Sequence, residues 1–181
     1  MYMMPTRNYI DRNLRIHHPR ANVKGGTSKV MRKKATKSDH VNRVTEDLKR
    51  LGATHIELMS SESSYLPKII HHKEIIGGIA YGHHEVGYCM LVATNRRVIF
   101  LDKKPFFANV DDITYDVVSG VSFGTSGFGS TLTLHTRIKD IKLMTMNDNS
   151  AKIFVDYVQL RCLEHEKKNG NGIKSSKESS L

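Results

Sequence analysis

The sequence predicts a mainly β domain with some helix: a bent antiparallel sheet of about seven strands, capped by a C-terminal amphipathic helix. Two apolar runs, residues 87–94 and 97–103, flank Asn95-Arg96, and Asn tolerates the positive φ angle that a tight hairpin turn requires. Residues 130–135 alternate apolar and polar side chains with the period of a strand. Residues 150–167 repeat apolar side chains at helical spacing.

The other strands are predicted from β-rich runs that lie between turn signals. Gly124, Gly127 and Gly129 mark one such turn. The predicted strands span residues 74–81, 86–94, 97–103, 113–123, 131–136 and 140–146. The final helix has no sheet partner in the sequence, so its apolar stripe is expected to cover an open end or a corner of the bent sheet. That stripe consists of Ala151, Phe154, Val155, Val158 and Cys162.

Charge and composition divide the chain into four predicted regions. These are a flexible basic arm (1–38), an N-terminal helical lead-in (39–72), the β domain with its helix (73–167) and a disordered tail (168–181). Residues 1–40 carry a net charge of +8, whereas the charges of residues 41–165 sum to zero. The protein is therefore a neutral domain with a basic arm. Met31 is an alternative initiator, in which case residues 1–30 are not translated.

Two short helices are predicted in the lead-in. Residues 39–51 place apolar side chains three and four positions apart, with Asp39 as the N-cap and Gly52 as the stop. A second helix is predicted over residues 63–70.

The sequence favours a cytoplasmic protein. Only two cysteines occur, Cys89 and Cys162, and such sparse cysteine is typical of a reducing compartment. No apolar run approaches the roughly 20 residues that span a bilayer. The N-terminus lacks the apolar segment of a secretory signal.

One stretch of the sequence is similar to a known family. The pattern LVATNRRVIFLDKK (91–104) is followed by ITYDVVSGV (113–121), a Gly/Ser turn, a strand pair and a helix. This order resembles the bacterial pleckstrin-homology (PH)-like domains, most of all the YokE-like group, over about residues 54–165. The resemblance implies a seven-strand PH-type barrel capped by a helix. It implies little chemistry, because this fold serves lipids, peptides and oligomer contacts alike.

No motif predicts an enzyme. The sequence contains neither a GxSxG nucleophile elbow nor a Walker A motif. The glycine-rich run 124–130 leads into a strand, whereas phosphate-binding loops open a helix. Cys89 lies in an apolar strand, which suits an inert buried thiol. We therefore expect no catalytic residue and no cofactor.

Three His-His pairs are candidate metal ligands: His17-His18, His71-His72 and His83-His84. Adjacent histidines on a strand point to opposite faces, so one pair does not close a metal site alone. A site shared by His72, His83 and Glu85 is the alternative, but it has no diagnostic spacing. We expect no metal site.

The predicted loop between the first two strands argues against a specific phosphoinositide ligand. Phosphoinositide-binding PH domains concentrate Lys and Arg there, because phosphates need paired cationic donors. Here the loop, residues 81–86, has no Lys or Arg and contains Glu85.

Two basic or aromatic clusters are candidate interaction sites of the folded domain. The candidate residues are Arg96, Arg97, Lys103, Lys104, Phe106 and Phe107. Cations beside two aromatic rings suit an acidic partner or a membrane surface. The alternative is that one Phe packs into the core while the lysines belong to a solvated loop.

The arm supplies a separate candidate surface for anions: Arg32, Lys33, Lys34 and Lys37. Such cations neutralise phosphates of nucleic acid or of anionic membranes. No aromatic side chain for base stacking follows Tyr9 in the arm, so any contact is expected to be weak and nonspecific. The alternative is a solubilising arm.

Together these features predict a non-catalytic binding or assembly module. The expected partner is another protein or a second copy of the chain, bound by pairing at an open sheet edge. The family resemblance also implies self-association. The alternative is a peripheral membrane module, in which the arm supplies charge and Phe106 and Phe107 supply a shallow anchor.

Overall fold

The computed structural model describes residues 37–175 except residues 86 and 128, with side chains through residue 168. Its helices are α1 (Lys37–Arg50), α2 (His55–Leu58), α3 (Ser61–Tyr65), a 3₁₀ turn (Leu66–Lys68) and α4 (Asp148–Ser175). Its strands are β1 (Ile76–His84), β2 (Gly87–Thr94), β3 (Arg97–Lys103), β4 (Ala108–Thr114), β5 (Val118–Ser126), β6 (Gly129–Thr136) and β7 (Ile141–Thr145).

The strands form one antiparallel sheet, in the order β4-β3-β2-β1-β7-β6-β5. Strands β4 and β5 lie at the two ends of this order, so hydrogen bonding does not close the barrel. The predicted fold class is confirmed: a PH-like sheet of seven strands with a C-terminal helix and short N-terminal helices.

The hairpin of β2 and β3 has the predicted bounds, and one side chain organises its turn. The hydroxyl of Thr94 accepts hydrogen bonds from the backbone N–H groups of Arg96 and Arg97, each at 3.1 Å. The side-chain oxygen of Asn95 accepts one from the backbone N–H of Ile75 at 2.9 Å. The turn is thereby attached to the segment that enters β1.

The single strand predicted over residues 113–123 is wrong, because the chain turns within it. The backbone N–H of Val117 donates to the carbonyl of Thr114 at 3.1 Å, which closes a β-turn between β4 and β5. Tyr115 is buried, and its hydroxyl donates to the carbonyl of Thr94 at 2.5 Å. The turn contains neither Gly nor Pro, and the apolar alternation continues across it, so the sequence shows no break.

An inner core fills the concave side of the sheet. Its members come from β1–β3, β5–β7 and α4, and Phe154 is fully buried among them. The helix approaches β1 closely because β1 begins Ile76-Gly77-Gly78. A Cβ on Gly78 would lie 2.6 Å from the Cα of Phe154, and one on Gly77 would overlap the ring of Tyr157. These two glycines therefore let α4 pack closely against β1, and the helix also contacts β5.

An outer core lies on the opposite face of β1–β3. Side chains of α1, of the 3₁₀ turn and of the strands form it: Val44, Leu48, Leu51, Leu66, Ile70, Ile76, Ile79, Met90, Val92, Ile99 and Leu101. The lead-in is therefore packed onto the sheet. Strands β2 and β3 are buried on both faces, which explains their unbroken apolar runs.

Two helix ends differ from the prediction. Helix α1 begins at Lys37, so Asp39 lies in its first turn and is not the N-cap. Gly52 follows the helix with a φ of 84°, as its predicted role as the stop requires. Helix α4 continues to Ser175, beyond the predicted end at residue 167 and into the segment 168–181 that the sequence predicts as a disordered tail. Its residues 169–172, Asn-Gly-Asn-Gly, are poor helix formers, so no signal in the sequence indicates this extension.

Candidate functional site

The loop between β3 and β4 exposes both of its phenylalanines. Phe106 is 99% exposed and Phe107 is 60% exposed. The alternative in which one ring packs into the core is therefore wrong. Exposing two adjacent aromatic rings to water is unfavourable, and exposed apolar patches often mark contact sites. This pair therefore remains a candidate contact surface.

The two lysines before these rings are held by the fold. The Nζ of Lys104 lies 2.8 Å from a carboxylate oxygen of Asp102 and 3.3 Å from the carbonyl oxygen of Tyr88. The Nζ of Lys103 donates to the carbonyl of Lys104. Lys104 thus brings a cation beside the start of β2, next to the β1–β2 loop. Its charge is partnered there by Asp102.

Arg97 is also engaged within the fold, unlike its neighbour Arg96, which is exposed. The guanidinium of Arg97 donates to both carboxylate oxygens of the fully buried Glu74, at 3.0 and 3.2 Å, and pairs with Asp112 on β4. A further donor reaches the carbonyl of Ile69 at 3.0 Å. Arg97 therefore ties the lead-in to the sheet.

The pKa of Glu74 reflects this arrangement. Burial alone raises the pKa of a carboxyl, but hydrogen bonds from Arg97, from the backbone of His71 and from Thr94 bring the pKa of Glu74 below its ordinary value. The pKa of Arg97 is raised by the same carboxylate. Both groups are therefore charged at neutral pH.

The remaining predicted residues belong to the arm and the histidine pairs. Arg32, Lys33 and Lys34 lie outside the described residues, as do His17-His18, while Lys37 is the exposed first residue of α1. His72 contacts the ring of His40, with ring centroids 4.3 Å apart. Among the described residues, no group of three His, Cys, Asp or Glu side chains is arranged to hold a metal ion.

The β1–β2 loop contains no Lys or Arg in its sequence that could bind an anion. His84 uses its Nδ1 in a 2.8 Å hydrogen bond with the backbone carbonyl of Lys142. Cys89, on β2 beside this loop, is buried, and burial raises its pKa to about 12. A protonated buried thiol is a poor nucleophile, which agrees with its predicted inert role.

The two edges of the sheet differ in charge. Strand β4 carries Asp111 and Asp112, and the first of these lies 4.0 Å from Lys139. Strand β5, with the sequence VSGVSFGTS, contains no charged residue, and within the described part of the chain β6 is the strand with which it pairs. Charged edge residues discourage pairing with another chain, so β4 is protected in a way that β5 is not.

An apolar groove of about 300 Å³ runs beside β5. Val121 and Gly120 form one wall, and Val158, Cys162 and Leu163 of α4 form the other. This groove is not among the sequence predictions, although the absence of charged residues from 118–126 is a signal that indicates it. If another strand paired with β5, the side chains of that added strand could contact the groove.

A second, larger cleft lies where α2 meets the ends of β1 and β7. It has a volume of about 370 Å³ and is mostly apolar. We name it the tyrosine cleft after two of its residues, Tyr81 and Tyr88. Thr54 and Glu57 form the capping box of α2, but no motif relates the lining residues to one another, because the fold assembles them from segments far apart in the chain.

Comparisons with known proteins place most of the sheet in one family. A family model described as "Bacterial PH domain" matches residues 70–160, which is half of the chain. A comparison with curated proteins gives no significant match. In the described part of the chain, no helix is long and apolar enough to cross a membrane.

Two solved structures resemble the chain at low identity. One is a DUF1696 family protein with a pleckstrin-homology domain from Shewanella loihica PV-4, with 17% identity and a TM-score of 0.37 over 53% of this chain and 89% of that chain. The other contains the N-terminally truncated linker-DH/PH domains of p115-RhoGEF, with 8% identity and a TM-score of 0.41 over 71% of this chain and 41% of that chain.

Proposed function

Since the chain belongs to the bacterial PH domain family, we propose that it is a non-catalytic assembly module whose partner is a second copy of itself. The observation that carries this proposal is the β5 edge, an uncharged strand of nine residues that pairs with β6 on one side and with no other strand among residues 37–175 that the structure describes. Within the family, the residues of the β2–β3 hairpin favour the YokE-like group. The cytoplasm is the compartment that the low cysteine content supports.

The sequence of β5 is compatible with its own antiparallel pairing. In a pair centred on Ser122, Val121 of one copy lies opposite Phe123 of the other, and Gly120 lies opposite Gly124. Apolar residues thus face apolar residues, and no like charges meet. Ser119 would lie opposite Thr125, which continues the match outward. Each edge would gain the backbone hydrogen bonds that it lacks in the monomer.

Charge placed at the centre of this pair tests the proposal. Ser122 is exposed, and in the proposed dimer it faces itself, so Ser122→Lys brings two cations together. We expect sedimentation equilibrium to show a dimer of the wild-type chain and at least a tenfold weaker association of Ser122→Lys. The matched control is Asn109→Lys on the β4 edge, which should leave association unchanged.

A mixture of charge variants makes the test specific for β5. Ser122→Lys mixed with Ser122→Glu should form a heterodimer, because the cation of one copy then faces the carboxylate of the other. Circular dichroism and thermal unfolding establish that each variant is folded. A wild-type chain that stays monomeric at high concentration, or a dimer that Ser122→Lys leaves intact, would contradict the proposal.

A peripheral membrane module is the second candidate, and the exposure of Phe106 and Phe107 favours it. In this model the arm supplies electrostatic attraction of about 1 kcal/mol per cation near an anionic surface. Cosedimentation with phosphatidylserine vesicles should weaken steeply as salt rises, because charges are screened within about 8–10 Å. It should fall in Phe106→Ala and after substitution of the arm cations Arg32, Lys33, Lys34 and Lys37. Selectivity for a phosphoinositide headgroup that survives high salt would contradict this electrostatic account.

A further inference from the structure

The tyrosine cleft is an open apolar pocket with a carboxylate inside it. Its volume of about 370 Å³ lies within the range typical of ligand sites, roughly 300–1,000 Å³. The residues that carry the argument are Ile56, Glu57, Tyr81, Tyr88, Met144 and Met146. Among the described residues that line it there is neither Lys nor Arg.

The fold holds the cleft open through a close contact between β1 and β7. These strands pair at His83 and Met144. Gly82 permits the contact, because a Cβ at this position would clash with the carbonyl oxygen of Met144. The side chains of Met144 and Met146 then project from β7 and its end toward solvent, and both are exposed.

Glu57 supplies the charge of the cleft. Its side chain is 3% exposed, and one carboxylate oxygen accepts hydrogen bonds from the backbone N–H of Thr54 at 2.6 Å and from the side-chain amide of Asn147 at 2.8 Å. Both donors are neutral. Glu57 forms no ion pair within the described part of the chain. A nearly buried carboxylate therefore lines the cleft, and no cation of the described residues pairs with it.

The aromatic wall of the cleft adds a second feature that favours cations. The rings of Tyr81 and Tyr88 stack with centroids 5.6 Å apart, and Tyr88 is 58% exposed. Burial, followed by the charge of the nearby Glu62, raises the pKa of Tyr81 to about 12, so the phenol stays neutral. Aromatic faces attract guanidinium and ammonium groups, most strongly where water is excluded.

We propose that the tyrosine cleft binds an arginine or lysine side chain presented by a basic, partly apolar peptide segment of a partner protein. The cation faces Glu57, and its aliphatic stem packs on Tyr81 and Tyr88. The exposed Ile56, Met144 and Met146 receive the apolar neighbours of that residue, since methionine adapts readily to varied partners. The inference goes beyond the proposed self-association and does not depend on it, because the cleft lies at β1 and β7 whereas the proposed dimer uses β5.

A labelled peptide tests this proposal on the full chain. The probe is acetyl-Leu-Arg-Leu-Arg-Leu-amide, added to protein that carries ¹³C-labelled methionine methyl groups. We expect saturable shifts of the Met144 and Met146 methyl signals, assigned from Met→Leu variants. The same peptide with citrulline in place of arginine keeps the shape and removes the charge. It should bind at least tenfold more weakly.

Two variants locate the binding energy. Glu57→Gln removes the charge and keeps a residue that serves the same helix-capping position, so the fold should be retained. It should weaken the arginine peptide at least tenfold. Tyr88→Leu should weaken it several-fold, and since Tyr88 is largely exposed this variant should also fold. The matched control, Glu46→Gln, makes the same charge change on the exposed face of α1 and should leave binding unchanged.

The outcomes that would overturn the proposal are distinct from those that bear on β5. The proposal is wrong if the peptide causes no shift of the Met144 and Met146 methyl signals. It is also wrong if the citrulline peptide binds as tightly as the arginine peptide, or if Glu57→Gln binds the arginine peptide as tightly as the wild-type chain does. Preferential shifts with an acidic Leu-Glu peptide or with phosphatidylserine vesicles would assign the cleft to a different ligand class and also refute it. Running the titration with Ser122→Lys separates this result from self-association, because that variant retains the cleft.

Discussion

Strands β1–β3 are covered on both faces, but the two covers come from different parts of the chain. The inner core is closed by β5–β7 and α4, and most of its residues lie within the family match at 70–160. The outer core is closed by α1 and the 3₁₀ turn, which precede that match. The boundary of the family model is therefore not the boundary of the packed domain.

The side chains of the outer core are as deeply buried as those of the inner core. Ile79, Met90 and Ile99 are buried in this outer core together with side chains of α1 and of the 3₁₀ turn. Without those helices, a contiguous apolar surface of three strands would face water. We infer that the helices and the sheet fold as one cooperative unit, with Glu74 and Arg97 at their junction.

The largest expected effect is in the inner core. Phe154 is fully buried beneath the sheet, so Phe154→Ala should lower the free energy of unfolding by about 3–5 kcal/mol. Urea unfolding followed by circular dichroism measures this change. Leu160→Ala on the exposed side of α4 is the control and should change stability by less than about 0.5 kcal/mol. A Phe154→Ala variant as stable as the wild-type chain would show that α4 does not contribute to the core as described.

A truncation in the outer core should be nearly as costly. Leu48 on α1 is buried against the sheet, and Leu48→Ala should cost about 2–5 kcal/mol. The control on the same helix is Val41→Ala, whose side chain is exposed. Probes in the helices and the sheet should report one shared unfolding midpoint. Two separate transitions would show that the outer cover is an independent unit.

The junction of the two regions should give a pH-dependent effect. Glu74→Gln leaves Arg97 without its buried carboxylate partner and should cost about 3 kcal/mol at pH 7. Because the pKa of Glu74 is lowered by folding, the wild-type chain holds this stabilisation above the ordinary value of 4.5 and loses it as pH falls through the lowered value. The difference between wild type and Glu74→Gln should therefore shrink in acid. Denaturant unfolding at pH 7 and pH 3 measures it, and a constant difference would contradict the assignment.

The elements that could be predicted from the sequence are those with local signals. The β2–β3 hairpin has its Asn-containing turn, and α4 has a regular apolar stripe. The turn at Tyr115 was missed because its buried ring continues the alternation of the flanking strands. The unbroken apolar runs of β2 and β3 do indicate strands covered on both faces, but they do not say by which residues.

The candidate surfaces were harder to predict, because they depend on contacts between distant segments. Phe106 and Phe107 could be identified as an aromatic pair, but their exposure is a property of the loop in the fold. The sequence predicts Arg97 as a surface cation, because nothing in it indicates that Glu74, 23 residues earlier, lies beside the guanidinium in the fold. The tyrosine cleft joins Ile56, Tyr88 and Met146, and no spacing in the sequence relates these three residues.

The smallest effect concerns how closely the inner cover approaches the sheet. At Gly78 an added Cβ would lie 2.6 Å from the backbone of Phe154, so Gly78→Ala must push α4 outward and should cost about 1–3 kcal/mol. Gly127→Ala, in the turn after β5, is the matched control, because no atom lies within 4 Å of its added Cβ. Since alanine also restricts the unfolded chain, Gly127→Ala should be neutral or slightly stabilising. Thermal unfolding of the two variants measures the difference. Equal stability of the pair would mean that α4 can move away from β1 without loss, and that the inner cover is held less tightly than the buried Phe154 indicates.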